Sequence, residues 1–380
     1  MPALAPNAER MPRSGIREVM DLAWSLPGPV IGLHVGEPSF PTPQHVRDAA
    51  VAALERGETR YAPNAGLPAL RAAIAEKVGA RNGLRAAPEQ VVVSAGGMEA
   101  LYVALSATIE AGDEVLVPDP GWPNFAMATQ LLQAAPVPYP LQPEDGFLPD
   151  VARLDALVTG RTKAIVVNSP SNPLGSVLDE RLAEALCRFA DRHDLWLISD
   201  ECYDAITFER EHFSPGAWDE QDRVLSCFSF SKTYAMTGLR VGYLVAPPPI
   251  AATAAKMQEA LIACVNVPAQ YAALAALEGP QDVVEEMRRT YMERRDAATA
   301  LLDSRGTGYL RPQGAFYLWI DVRGRSGGDV NAWALDVLRR RGVAVAPGTT
   351  FGPTGEGWVR ASLATATDEL LEGLGRLVDA

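Results

Sequence analysis

The sequence predicts an α/β protein. It reads as a doubly wound, mostly parallel sheet in one large unit, with a second, smaller α/β unit built from both chain ends. Three observations carry this. Apolar runs such as "QVVVSAGG", "DEVLVPDPGW", "TKAIVVNSPSNP", "LWLISDECY" and "RVLSCFSFSK" lack polar alternation, as strands covered on both faces do. Helical patterns such as "MEALYVALSATI" stand between them, the alternation expected of a parallel sheet. Unusual polar clusters fall where the runs end, and in such sheets the ligand crevice lies beyond the carboxyl ends of the strands.

The pattern changes after "ALEGP". Val284, Met287, Tyr291, Ala298 and Leu301 mark one face of a long helix, and "EE", "RR" and "ERRD" read as its solvated face. Beyond it, "GAFYLWIDV", "VNAWALDVLRRRG", "VAVAPGTTFG" and "GWVRASLA" suggest the smaller unit, on which the N-terminal "GIREVMDLAWSL" is expected to pack. The expected division is 42–280 for the large unit, and 1–41 with 281–380 for the small one.

Composition narrows the function. An apolar share of 48% and a charged share of 21% are ordinary for a globular chain. A net charge of -13 with no basic block argues against a nucleic-acid partner. No stretch approaches the ~18 uninterrupted apolar residues of a membrane span. The N-terminus lacks a charged start followed by an apolar stretch, so a cytoplasmic location is expected. Cys187, Cys202, Cys227 and Cys264 are scattered without CxxC spacing, and no histidine pair has HExxH spacing, so no metal is expected.

The run "CFSFSKTYAMTGLRVGY" ends a buried strand on Lys232, with Ser229, Ser231 and Arg240 at short offsets. A buried amine is costly unless neutral or bonded, and desolvation with nearby cations lowers its pKa. A neutral amine forms a Schiff base with an aldehyde. Two hydroxyls and a guanidinium around it make a phosphate pocket better than they make a core. "SDECY" ends another strand on Asp200, a carboxylate that needs a cationic partner if buried, or that serves as a helix N-cap. "SAGGMEAL" opens a helix with free N–H groups, but it has neither P-loop nor dinucleotide spacing. "PDPGWPNF" sets Trp122 on a stiff loop, where it either stacks on a ligand or covers the core.

"SFSKTYAMTGLRVGY" resembles the pyridoxal-phosphate lysine segment of class I/II aminotransferases, the fold-type I family. The other clusters follow in that family's order over nearly the whole chain. The resemblance implies pyridoxal 5'-phosphate held by Lys232 as a Schiff base, with Ser229, Arg240, and backbone groups of Gly97 and Met98 on its phosphate. Asp200 would face the ring nitrogen, Tyr203 and Asn172 the ring oxygen, and Trp122 the ring face, while Asn168 shapes the "NSPSNPLG" loop. "HVGEPSFPTP" and "FGPTGEGWVRASLA" match the family's substrate segments. By that match the Gly36 backbone touches the substrate carboxylate and Arg360 clamps it. Trp122 and Asn172 would also meet the substrate. "RYAPNAGLPALRAAIA" matches a stretch whose tyrosine reaches the neighbouring subunit's phosphate, so Tyr61 implies a homodimer with shared sites.

The expected activity is transfer of an amino group between an L-α-amino acid and a 2-oxo acid, with Lys232, Asp200 and Tyr203 as the catalytic set. A fold-type I β-lyase acting on an amino acid is the alternative. For the substrate side chain, Arg13, Arg17 and Arg288 are candidate readers of a second carboxylate, and Trp24 and Tyr317 candidate walls of an apolar pocket.

Overall fold

Strand direction decides where the chemistry collects. In this computed structural model, which describes residues 3–9, 11, 12 and 15–380, the first strand is the short β1 (Ile31–Gly32). Seven strands follow: β2 (Val91–Ser94), β3 (Glu114–Asp119), β4 (Ala135–Pro140), β5 (Thr162–Asn168), β6 (Trp196–Asp200), β7 (Val224–Ser229) and β8 (Gly242–Val245). They form one sheet in the order β2-β8-β7-β6-β5-β3-β4. Neighbours pair in parallel from β4 across to β7, and β8 runs against both β7 and β2. The α/β class and the mostly parallel sheet are as the sequence predicts.

The unalternating apolar runs have a direct cause. On β5, Ala164 and Val166 enter one core while Ile165 and Val167 enter the other. On β3, Val115 and Val117 take the first side and Leu116 the second. Since successive residues point to opposite faces, only an apolar residue at every position satisfies a sheet buried on both sides. Polar side chains are left to the strand ends. Register then brings those ends level: Asn168 pairs with Asp200, Asp200 with Cys227, and Ser229 with Gly242.

A second sheet is antiparallel. It comprises β9 (Tyr309–Leu310), β10 (Tyr317–Asp321), β12 (Ala346–Pro347) and β13 (Trp358–Ser362), ordered β12-β13-β10-β9. Between β10 and β12 in sequence, β11 (Val343–Ala344) pairs in parallel with β1. The N-terminal strand is thereby joined to the C-terminal part of the chain. The Gly15–Ser25 helix packs there too, placing Val19 in a core with Leu338 and Ala344.

The long Asp282–Ser304 helix departs from expectation on its charged side. Val284, Met287, Tyr291 and Ala298 are buried as expected, but so are Arg294 and Arg295, inside the "ERRD" stretch read as solvated. Arg295 pairs with Glu209 and Asp296, and Arg294 donates to Ser39 Oγ at 2.9 Å and Leu363 O at 3.1 Å. Helical periodicity cannot foresee this, because all of those partners but Asp296 lie far away in sequence. At the other end of the same face, Leu301 packs against the core as expected, half-buried, and its neighbour Leu302 is fully inside it. Among the described residues, no helix is long and apolar enough to cross a membrane.

Trp319 on β10 carries much of the contact between the small sheet and the core of the large one. It is fully buried, stacks on Trp358 at 6.0 Å and meets Phe351 edge-on at 5.8 Å. Trp319→Ala is expected to cost about 3–5 kcal/mol, read as a lowered midpoint in denaturant unfolding.

Candidate active site

One cavity of about 450 Å³ opens at the level strand ends. Its lining takes residues from both sheets and from the segment that follows β1. Lys232 lies one turn beyond β7, on the short Phe230–Thr233 helix, whose N-cap Ser229 accepts from the Ser231 N–H. That turn swings the amine off the strand and into the cavity. Lys232 Nζ donates to Gly36 O at 2.7 Å. Burial brings its pKa down to about 8, and the guanidiniums of Arg360 and Arg240 push the same way. A substantial fraction of the amine is therefore neutral near pH 8.

Asp200 closes β6 and is buried. Burial pushes its carboxyl up to about 6, against the Cys202 N–H that donates to Oδ1 at 3.1 Å. The second carboxylate of "SDECY" goes elsewhere. Glu201 accepts from Ser214 Oγ and, at 2.7 Å, meets His212 Nε2 away from the cavity.

Arg360, on β13, is also buried, and burial lowers its pKa. Its Nη1 donates to Asn172 Oδ1 at 2.9 Å, its Nη2 to His34 O, and its Nε has no hydrogen-bond partner. The guanidinium lies over Tyr317 at 4.3 Å. A buried cation with a free N–H is primed for an incoming anion. Asn168 shapes the loop as expected: its Oδ1 accepts from the Asn172 N–H at 2.8 Å, and its amide donates to Asp200 O at 3.0 Å.

The phosphate end is built on backbone. The Gly97–Ser106 helix starts after Gly96, whose φ of +87° suits glycine and where a Cβ would sit 2.3 Å from Arg240 Nη2. Arg240 bonds to the Ser231 hydroxyl at 3.5 Å and to the carbonyls of Thr237 and Ala95 at 2.9 and 3.2 Å. Free N–H groups at the helix start, two serine hydroxyls and an arginine together suit a phosphate dianion. Tyr203 Oη lies 2.8 Å from Tyr317 Oη, and burial holds both phenols above their ordinary pKa, hence protonated. Tyr317 also explains Gly36, where a Cβ would fall 2.0 Å from its hydroxyl.

A family model described as aminotransferase class I and II matches residues 28–377. The chain belongs to this family. The aspartate/prephenate aminotransferase of Thermus thermophilus is 40% identical to it over 350 residues, covering 91% of this chain and 90% of the relative. Aromatic-amino-acid aminotransferase 2 of Thermococcus litoralis is 36% identical, over 99% and 97% of the two chains. The structure of Thermus thermophilus aspartate aminotransferase with maleate superposes with a TM-score of 0.95 at 38% identity, covering all of both chains. The protein is thus an aminotransferase, and its family uses pyridoxal phosphate.

This aminotransferase gathers most of the sequence-derived residues around one cavity. Gly36, Gly97, Met98, Trp122, Asn172, Asp200, Tyr203, Ser229, Lys232, Arg240 and Arg360 all line it. Tyr61 does not, and is 89% exposed. Of the substrate-side candidates, Tyr317 lines the cavity, whereas Trp24 is exposed and so belongs to neither pocket nor core. Arg288 is tied to Glu285 and Thr207 O away from the site, Arg17 is exposed, and Arg13 lies outside the described residues. Ile16, Met20, Val35, Asn124 and Cys202 also line the cavity and escaped the sequence reading. For Ile16 and Met20, four residues apart on one helix face, that spacing was the available signal.

Between pH 3.8 and about 6, the folded protein keeps a proton on Asp200 that the unfolded chain releases. This carboxyl's contribution to stability therefore falls as pH rises through that window. In the cofactor-free protein, Asp200→Asn should be more stable than wild type at pH 7, by on the order of 2 kcal/mol. Urea unfolding of both proteins at pH 4 and pH 7 would reveal it as a gap present only at the higher pH.

Proposed function

We propose that this aminotransferase binds pyridoxal 5'-phosphate covalently at Lys232 and moves an amino group between an L-α-amino acid and a 2-oxo acid. The observation that carries the reading is one cavity holding a buried amine of lowered pKa, a buried carboxyl and a buried arginine with an unpaired N–H. The donor set fits the group. Asp200 gains the cationic partner its burial calls for, and the glycine-lined helix start with Ser229, Ser231 and Arg240 receives the phosphate. Bound there, the cofactor supplies an electron sink for the charge that develops at the substrate Cα.

Each side chain then has a defined task. Arg360 orients the α-carboxylate through its free Nε–H, fixing the Cα–H bond toward the lysine. Lys232 Nζ takes the Cα proton, because near neutral pH it has both a free lone pair and a matched pKa. Asp200 stays ionised against the ring nitrogen. Tyr203, protonated and braced by Tyr317, donates to the ring oxygen alongside the Asn172 amide. Trp122, held edge-on by Phe125 at 5.6 Å, packs on the ring face. Gly36 is reassigned: its carbonyl accepts from the Lys232 amine, so it holds the base as well as flanking the substrate. The relatives described above are aminotransferases, which favours transamination over β-elimination.

The reading extends to assembly and place. Tyr61 stands exposed near Leu261 and Ile262, since the Ala62 N–H meets Cys264 Sγ at 3.4 Å. Val51 and Leu54 on the Gln44–Glu55 helix are exposed apolar residues as well. These residues supply an apolar surface for a homodimer in which Tyr61 completes the partner's phosphate site. We place the enzyme in the cytoplasm, with 42–280 as its large unit and 1–41 with 281–380 as its small one.

Lys232→Ala should abolish the absorption band of covalently held cofactor and lower transamination by at least about a thousandfold. Arg360→Lys should keep the band and lower kcat/KM about a hundredfold, since a point charge replaces a planar fork. Release of ammonia from the amino donor, with no amino group reaching an acceptor, would overturn transamination. The double variant Val51→Asp, Leu54→Asp should elute as a monomer in light-scattering chromatography and lose activity, whereas wild type elutes as a dimer.

A further inference from the structure

Four walls of the cavity serve the cofactor and the α-carboxylate; a fifth has no chemistry assigned. It is made by Ile16 and Met20 from the Gly15–Ser25 helix, Val35 from the segment after β1, and Met98. Val35 precedes Gly36, whose carbonyl holds Lys232 Nζ, so this wall stands beside the reacting amine. Its polar neighbour Asn124 points its amide at Met98 Sδ, 3.3 Å away. Among the described residues, the cations lining the cavity are Lys232, Arg240 and Arg360. Each is committed, by the reading above, to the base, the phosphate or the α-carboxylate.

We propose that this aminotransferase takes amino acids with an uncharged apolar side chain, and the matching monocarboxylic 2-oxo acids, in preference to dicarboxylates. A second carboxylate set against Ile16, Met20 and Val35 would be desolvated with no uncommitted lining cation to meet it among the described residues of one subunit. Among the described residues, Arg17 touches this wall, its Nη1 resting on Met20 Sδ at 3.3 Å, but it is exposed and lies outside the cavity lining. Donor and acceptor occupy the same pocket in turn. The exclusion therefore applies to both half-reactions, and 2-oxoglutarate is a poor acceptor for the same reason that aspartate is a poor donor. This assignment rests on Arg360 as the α-carboxylate clamp, and it departs from the aspartate named for the Thermus relative.

The test uses the loaded dimer with leucine, phenylalanine, alanine, aspartate and glutamate as donors. Pyruvate, 4-methyl-2-oxopentanoate and 2-oxoglutarate serve as acceptors. Leucine or phenylalanine should exceed aspartate in kcat/KM by at least about thirtyfold. Met20→Ala should lower phenylalanine about tenfold and leave alanine within about twofold, and Arg17→Ala should leave the order unchanged. Calorimetry gives a readout without turnover: 4-methylpentanoate should bind more tightly than succinate. Aspartate or 2-oxoglutarate matching the apolar substrates, an equal fall of phenylalanine and alanine in Met20→Ala, or a changed order in Arg17→Ala would overturn the assignment. If no donor is converted but 4-methylpentanoate still binds more tightly, the apolar pocket stands and the catalytic reading of the site falls.

Discussion

The rest of the structure depends on a sheet buried on both faces. With Val115 to Val117 of β3, Ala164 to Val167 of β5, and Leu197 and Ile198 of β6 held in apolar cores, most polar groups are left to where strands stop. Parallel pairing makes them stop on the same side, and register sets Asn168 level with Asp200, with Ser229 just beyond the Cys227 that pairs with Asp200. Antiparallel β8 adds to that edge from its beginning: Arg240 arrives just before the strand enters the sheet at Gly242. The site is thus a consequence of covering the sheet, refined by which polar residues sit at its rim.

The second organising fact is electrostatic. Lys232 and Asp200 are displaced in opposite senses from their solution behaviour by the same cause, loss of water. In the cofactor-free protein this is unfavourable, since at neutral pH each group carries its charge against the cost of burial. A bound group that offers a cation to the carboxyl and an electrophile to the amine relieves both at once. Stability given up at Asp200 is therefore linked to ligand affinity at the same place.

Much of this is legible in the sequence, for a physical reason. The strand runs, their order, and residues such as Lys232, Asp200 and Arg360 belong to local patterns whose spacing is fixed by backbone geometry. What the sequence conceals depends on distant partners. Arg294 and Arg295 look solvated until Ser39, Leu363 and Glu209 are brought to them. Cys202 enters the cavity because it follows Asp200, with nothing in its own pattern to mark it. Ile16 and Met20 repeat with ordinary core spacing, and only the fold shows that their helix faces a cavity. Trp24 errs the other way, since its size suggested a wall and its place on the helix turns it outward.

The parallel pairing of Ile31 with Val343 carries a consequence for biogenesis. As the nascent chain emerges from the ribosome, the large sheet can assemble while β1 still lacks its mate, which follows every strand of that sheet in the chain. Until then Ile31 and Leu33, both destined for the interior, lack the partners that β11 and the segments after it supply. Completion of the catalytic pocket therefore waits for Val343 and Arg360, which follow the whole large sheet in the chain.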